Sequence, residues 1–341
     1  MWDSASGLLT DLLKQVSRSF YRTLRVLPTP IRPQISLAYL LARTTDTIAD
    51  THIVPVSDRL ATLLRLRERI LGRNSAPLDL TEFARQQGSA AEWMLLERVE
   101  EALSVLDTFL PEDQQRIREV LITITSGQEL DLSRFAGAST AAIVSLDTDE
   151  ELDDYTYRVA GCVGEFWTKM CRAHLFSSTD LDDELLLTNG VRFGKGLQLV
   201  NVLRDLSSDI RQGRCYLPSD RLWATGLTPL DLLQPANEPR LRPLYDLYLA
   251  QAEEHLSAGW RYTNDLPRSQ VRVRLACAWP ILIGVQTLEK LRAGNMLAPE
   301  LRIKVTRSEV YKIIARTILW YPWPGRWERM FAPAQGAEIG S

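Results

Sequence analysis

Cysteine and histidine are scarce here, with four and three residues in a chain of 341. Cys162, Cys171, Cys215 and Cys277 form no CxxC pair and stand at no ligand spacing from the histidines. That spacing excludes a zinc ribbon and a disulfide scaffold. The opening MWDSASGLLTDLLKQ lacks the basic start and apolar run of a secretory signal. Reduced structural thiols and a cytoplasmic location are therefore expected. No uninterrupted apolar run approaches the roughly 18 residues of a bilayer span, so no transmembrane helix is expected. Basic residues are dispersed and the net charge is −3, which argues against nucleic acid as a partner. Alternating apolar–polar runs bounded by hairpin turns are also missing, so no sheet is expected.

What is present is helical periodicity. Leu8, Leu9, Leu12 and Leu13 make an i, i+4 stripe, and after Pro28, Pro30 and Pro33 a helix is predicted through ISLAYLLARTTDTIAD. Further helices are predicted over 56–72, 91–108, 111–135, 150–175, 182–212, 240–264, 268–292 and 307–320. Segments 74–79 and 228–241 are expected to be loops rather than domain linkers. The expectation is one all-α domain over 1–341, with a core at about 15–290 and a C-terminal helix and Trp/Pro-rich tail over 291–341. Segment 182–212 carries Leu185, Leu186, Val191, Leu197, Val200 and Leu203 on more than one side, as suits the interior of a bundle.

Polar residues in such helices call for a reason. Asp46 and Asp50 stand at i and i+4 and so neighbour each other on one helix face. Two adjacent carboxylates repel, and Mg²⁺ relieves that repulsion while taking its other ligands from substrate phosphates. Asn201, Asp205 and Asp209 repeat at i, i+4 and i+8, and Gln198 extends the stripe by three residues. Isolated acidic pairs are more often solvated helix faces. Nearby arginines shift the balance toward a metal–diphosphate site. Arg43 lies three residues before Asp46, Arg204 precedes Asp205, and Arg214 follows Asp209. Arg18, with Ser17 and Ser19, offers another guanidinium for phosphate oxygens. Mg²⁺ and arginines together stabilise a departing diphosphate. The cation left behind would suit aromatic faces, for which Phe20, Tyr39, Tyr155, Tyr157, Phe166 and Tyr216 are candidates, Tyr39 foremost. Ala160, Gly161 and Gly164 would admit a ligand tail or a partner helix equally well.

Four blocks, SRSF (17–20), AYLLARTTDTIAD (38–50), YTYRVAGCVG (155–164) and LQLVNVLRDLSSDIRQGRCYLP (197–218), resemble the squalene/phytoene synthases in order and spacing. The resemblance implies a single large helical bundle of the isoprenoid synthase type around a central apolar cavity. It implies Asp46, Asp50, Asp205 and Asp209 as Mg²⁺–diphosphate ligands. Arg18, Arg43, Arg204 and Arg214 would contact diphosphate, with Ser17 and Ser19 beside them. Tyr39, Arg43, Tyr155, Gln198 and Asn201 would act near the reacting carbons. Phe20, Tyr157, Ala160, Gly161, Gly164, Phe166 and Tyr216 would line the cavity. Ala49 and Ser208 stand where many family members carry an additional Glu, so metal stoichiometry is open.

The C-terminal part resembles squalene synthases more than phytoene synthases. The expected activity is therefore head-to-head condensation of two farnesyl diphosphates to presqualene diphosphate, with NADPH-dependent reduction to squalene. Phytoene, dehydrosqualene or hydroxysqualene synthesis, a terpene cyclase and a helical binding protein are the alternatives. GKGLQL (194–199) imitates the start of a dinucleotide fingerprint, but the preceding strand is missing. A monomer is expected. The tail WYPWPGRW (320–327) suits either packing on the bundle or peripheral contact with the inner membrane face.

Overall fold

The computed structural model describes residues 12–16, 24–51, 53–86, 89–298 and 303–331. Ser17, Arg18, Ser19 and Phe20 lie outside the described residues, as do Leu8 and Leu9. The chain divides into two compact units, Met1–Ala136 with Glu165–Asp180, and Gly137–Gly164 with Leu181–Ser341.

In the first unit, α1 (Arg32–Ala49) starts with Pro33 in its first turn, where the missing N–H leaves no bond unmade. The unit continues with α2 (Val56–Ile70), short α3 (Thr81–Arg85), α4 (Ala90–Glu97), α5 (Val99–Leu106) and long α6 (Pro111–Arg134). Helix α1 packs against α6 and α2. The helix expected over 91–108 is broken at Arg98, which caps α4 and opens α5. Arg59, buried on α2, donates to the carbonyl of Ala49 at 2.6 Å. That bond satisfies an orphan carbonyl at the C-terminal end of the acidic helix.

The second unit contains α7 (Asp149–Thr156), a π turn (Tyr157–Gly161) and the start of α8 (Cys162–His174). It continues with α9 (Asp183–Arg211), α10 (Ser219–Ala224), α11 (Glu238–Asp265), α12 (Val271–Ala293), α13 (Arg307–Trp320) and α14 (Pro324–Glu328). Helix α9 packs on α11, α12 and the π turn, as a helix apolar on several sides should. Leu185 departs from that reading, being 48% exposed in the first turn. The expected loop 228–241 contains two 3₁₀ turns, Pro229–Leu233 and Pro235–Asn237, and gives way to α11 at Glu238.

The absence of sheet needs a small correction. Val144–Ser145 (β1) pairs in parallel with Arg214–Cys215 (β2). Two residues per strand leave no alternation for a sequence to display, so the pairing was invisible. Gly213 enters it at φ +85°, and a Cβ there would meet the Ser139 nitrogen at 2.3 Å, so glycine is required on both counts.

Helix α12 is long and apolar enough, by length and composition, to cross a bilayer, with a mean hydropathy of 1.3. Since 72% of that stretch is buried in the protein, core packing accounts for its apolarity. All four cysteines are buried and outside any disulfide. Burial pushes the Cys215 thiol up to about 12, which makes it inert at neutral pH.

His255, on α11, carries a consequence for stability. Burial first, then the charges of Arg192 and Lys195, hold its imidazole down to about 4. The unfolded chain takes up that proton near pH 6.5. Below that pH the unfolded state binds more protons than the fold, so stability drains away as pH falls from about 6.5 toward 4. His255→Gln is expected to flatten this loss in urea midpoints compared between about pH 7 and pH 4.5. An unchanged slope would contradict it.

Candidate active site

Beyond its first turn, the residues of α1 that keep solvent access are Tyr39, Ala42, Arg43 and Asp46, at i, i+3, i+4 and i+7, with exposed Asp50 just past the helix end. They make a single stripe, and the rest of the turn is buried. The polar neighbours Thr44, Thr45 and Thr47 are satisfied within the helix, donating to the carbonyls of Leu40, Ala42 and Arg43.

Asp46 is surrounded by protein on most sides, yet its side chain stays 44% exposed. Burial first, and then the charge of Asp50, push its carboxyl up to about 6. Arg43 and a hydrogen bond donated by Gln128 to Oδ1 act in the opposite direction. Arg43 places Nη2 on Glu92 at 3.0 Å and reaches Asp46 only at 3.9 Å. Tyr39 adjoins the same charges, its hydroxyl raised by burial, lowered by Arg43 and raised by Asp46.

In the second unit the accessible stripe of α9 is Leu197, Gln198, Asn201, Arg204, Asp205, Ser208 and Asp209. Tyr155, from the last turn of α7, stacks on Tyr216 with centroids 4.5 Å apart. Its hydroxyl accepts from Gln198 Nε2 at 3.1 Å, and Asn201 Nδ2 donates to Gln198 Oε1 at 3.3 Å. One turn further, Arg204 forks onto Asp205, Nε to Oδ1 at 2.9 Å and Nη2 to Oδ2 at 2.5 Å. That bond, and beyond it the charge of Asp209, favour the guanidinium's charged form. The hydrogen-bonded chain Tyr155–Gln198–Asn201 and the Arg204–Asp205 pair share this stripe of α9. Arg214 follows in β2, held by β1.

The small residues have a different office from a cavity lining. A Cβ on Gly164 would meet the Gly190 carbonyl oxygen at 1.9 Å, and one on Gly194 the Ala160 carbonyl oxygen at 2.1 Å. A Cβ on Gly161 would meet Tyr157 and Lys195 side chains at 3.0 and 3.2 Å. Glycine and Ala160 here let the π turn and α8 approach α9 backbone to backbone. Lys195 also sits over the Tyr157 ring at 5.8 Å. Phe166 is buried.

The sequence pattern of squalene/phytoene synthases matches residues 13–309. The chain belongs to this family. It is 32% identical to a bifunctional lycopene cyclase/phytoene synthase of Colletotrichum graminicola over 71% of its own length, but spans only 39% of that relative. It is 27% identical to a presqualene diphosphate synthase of Rhodopseudomonas palustris, over 87% of this chain and 91% of that one. Its fold is that of TcSQS solved with ligand E5700, at a TM-score of 0.76 and 21% identity, covering 98% of this chain and 94% of the other. The all-α isoprenoid synthase architecture expected from the sequence is thereby shown.

Members of the family act on prenyl diphosphates and ionise them with a divalent metal. Among the described residues no three His, Cys, Asp or Glu side chains gather into a ready-made cage. The acidic pairs nevertheless fit Mg²⁺, which commonly takes one or two carboxylates and completes its shell from phosphates and water. The repulsion between Asp46 and Asp50 is what such an ion would relieve. The family motifs did not point to Gln128, on α6, or to Glu92, on α4. Gln128 meets Asp46 across 82 positions of sequence, a pairing that no local pattern encodes.

Proposed function

We propose that this family member condenses two farnesyl diphosphates head to head to give presqualene diphosphate. The Gln198–Asn201–Asp205–Asp209 stripe, tied at one end to the Tyr155 hydroxyl, carries the reading. It puts a hydrogen-bonded aromatic pair and a carboxylate pair on one continuous surface. Similarity to a presqualene diphosphate synthase over nine tenths of that protein supports the choice of product.

Asp46/Asp50 and Asp205/Asp209 would each hold Mg²⁺, which when bound neutralises the charge that gathers on diphosphate as its C–O bond breaks. Arg43, Arg204 and Arg214 would orient the phosphate oxygens. Tyr155 and Tyr216 would present π faces to the allylic cation, and Gln198 fixes the Tyr155 hydroxyl. GKGLQL lies inside α9, with Gly194 and Gly196 packed against Ala160 and His255. GKGLQL is therefore packing rather than a dinucleotide fingerprint, and no reductive step is derived.

Incubation with farnesyl diphosphate and Mg²⁺ alone is expected to yield presqualene diphosphate. Squalene appearing only when NADPH is added would extend the reading by one step. Activity confined to geranylgeranyl diphosphate, with phytoene as product, would replace it.

We propose also that the enzyme works at the inner membrane face. Ile318, Leu319 and Trp323 stand exposed along α13 and the turn after it, among exposed Lys312, Arg316 and Arg326, a combination suited to an anionic lipid interface. Flotation with anionic liposomes is the check, and a protein left wholly at the bottom of the gradient would refute it.

A further inference from the structure

Within the second unit, away from the acidic stripe, lies a cavity of about 110 Å³ lined by Asn264, Arg268, Arg274, Tyr321, Trp327 and Glu328. Arg274 comes from the first turn of α12 and is only 5% exposed. Its Nη2 donates to Asn264 Oδ1 at 2.7 Å and its Nη1 approaches the Leu266 carbonyl at 3.5 Å. Its Nε is buried without a hydrogen-bond partner. The guanidinium sits over the rings of Tyr321 and Trp327, at 5.6 and 5.5 Å. Among the described residues no carboxylate lies within ion-pair distance of it.

Exposed Asp265 feels the charge of Arg274 without forming an ion pair. A buried cation so weakly countered is costly, and a like charge beside it adds to the cost. Here Arg268, exposed at the cavity mouth, is that like charge. Burial and Arg268 both press the Arg274 guanidinium below its ordinary value. The surroundings are otherwise built and rigid. Trp327 Nε1 donates to the same Asn264 oxygen at 2.8 Å, Tyr321 donates to the Arg268 carbonyl at 2.6 Å, and Trp327 stacks on Trp260 at 5.3 Å. Glu328 also lines the wall, but it is exposed and so screened by solvent.

We propose that this cavity binds a single phosphate group between Arg268 and Arg274. Two guanidiniums match the roughly −1.5 to −2 charge of a phosphate monoester at neutral pH better than the single charge of a carboxylate. The volume holds several waters' worth of ligand, enough for one tetrahedral oxyanion. The group could come from solution or from a lipid headgroup, since Tyr321 and Trp327 belong to the segment that also exposes Leu319 and Trp323.

The test titrates the full-length protein in EDTA with inorganic phosphate, against chloride at matched ionic strength, and follows Tm, because a ligand that binds only the fold raises it. A saturable rise is expected in the wild type and in Arg204→Gln, and its loss in Arg268→Gln, with Arg268→Lys intermediate. Since Arg268 is exposed, its replacement leaves the fold intact, which circular dichroism verifies. The second arm is co-sedimentation with vesicles containing phosphatidic acid, whose headgroup is a phosphate monoester. Binding that Arg268→Gln abolishes, without a response to free phosphate, assigns the site to a headgroup. A phosphate response that survives in Arg268→Gln, or one lost in Arg204→Gln, overturns the proposal, as does silence in both arms.

Discussion

Asp205→Asn is expected to lower turnover of farnesyl diphosphate by on the order of 10²–10³-fold, the scale for losing one preorganised group that stabilises developing charge. Helix content should stay unchanged, because Asp205 lies on the accessible stripe of α9 with its side chain 41% exposed. The substitution has two effects in one place. It takes an anionic oxygen from the proposed Mg²⁺ site and releases Arg204, which now forks onto that carboxylate. The loss should therefore appear in kcat and in the Mg²⁺ concentration for half-maximal rate. Asp46→Asn is expected to weaken Mg²⁺ less, since its stripe offers fewer oxygens. On α9, Gln198 and Asn201 extend the donors, whereas on α1 Arg43 is engaged with Glu92. Equal losses of Mg²⁺ affinity in the two variants would sink this ranking. Unimpaired turnover in Asp205→Asn would remove the metal–diphosphate reading itself.

Gly194→Ala should act by another route. The added methyl would lie 2.1 Å from the Ala160 carbonyl oxygen and 2.9 Å from the Gly161 Cα. Both obstacles are backbone, so no side chain can swing aside. Overpacking typically costs about 1–3 kcal/mol, and the cost here should fall at or above the top of that range. Activity should suffer as well. Pushing the π turn off α9 moves Tyr155 away from Gln198, whose hydrogen bond is 3.1 Å long. Denaturant unfolding with a parallel rate measurement checks both parts. A variant as stable and as active as the wild type would show that the two helices can part freely.

The helices were legible because each buries one face and leaves a period of 3.6 in the sequence. The bounds of α6, α9 and α13 fall within a residue or two of those expected. The second acidic motif was legible too, since Gln198, Asn201 and Asp205 share one face of one uninterrupted helix. Contacts that join distant segments left no such trace. Gln128 on Asp46 and Glu92 on Arg43 depend on tertiary packing, and no local period encodes that. Glycine was ambiguous for a related reason. Gly164 could serve a ligand or a helix, and only the Gly190 backbone opposite decides for the helix. The Trp-rich tail was equally undetermined, and it divides: Trp327, 2% exposed, stacks on Trp260, while Trp323 stays 51% exposed.

The π turn between α7 and α8 lets one helix carry a residue more than regular winding would hold. The Cys162 N–H reaches back to the Tyr157 carbonyl, five residues rather than four. Each residue of an α-helix advances about 100° around the axis. A turn closed over five residues takes up the extra one by winding wider, so the turns on either side stay in phase and Tyr155 and Gly164 both face α9. Removing one residue from Tyr157–Gly161 should therefore let the helix rewind with both contacts kept. Removing one from the regular winding between that turn and Gly164 would instead swing the tyrosine and the glycine about 100° apart.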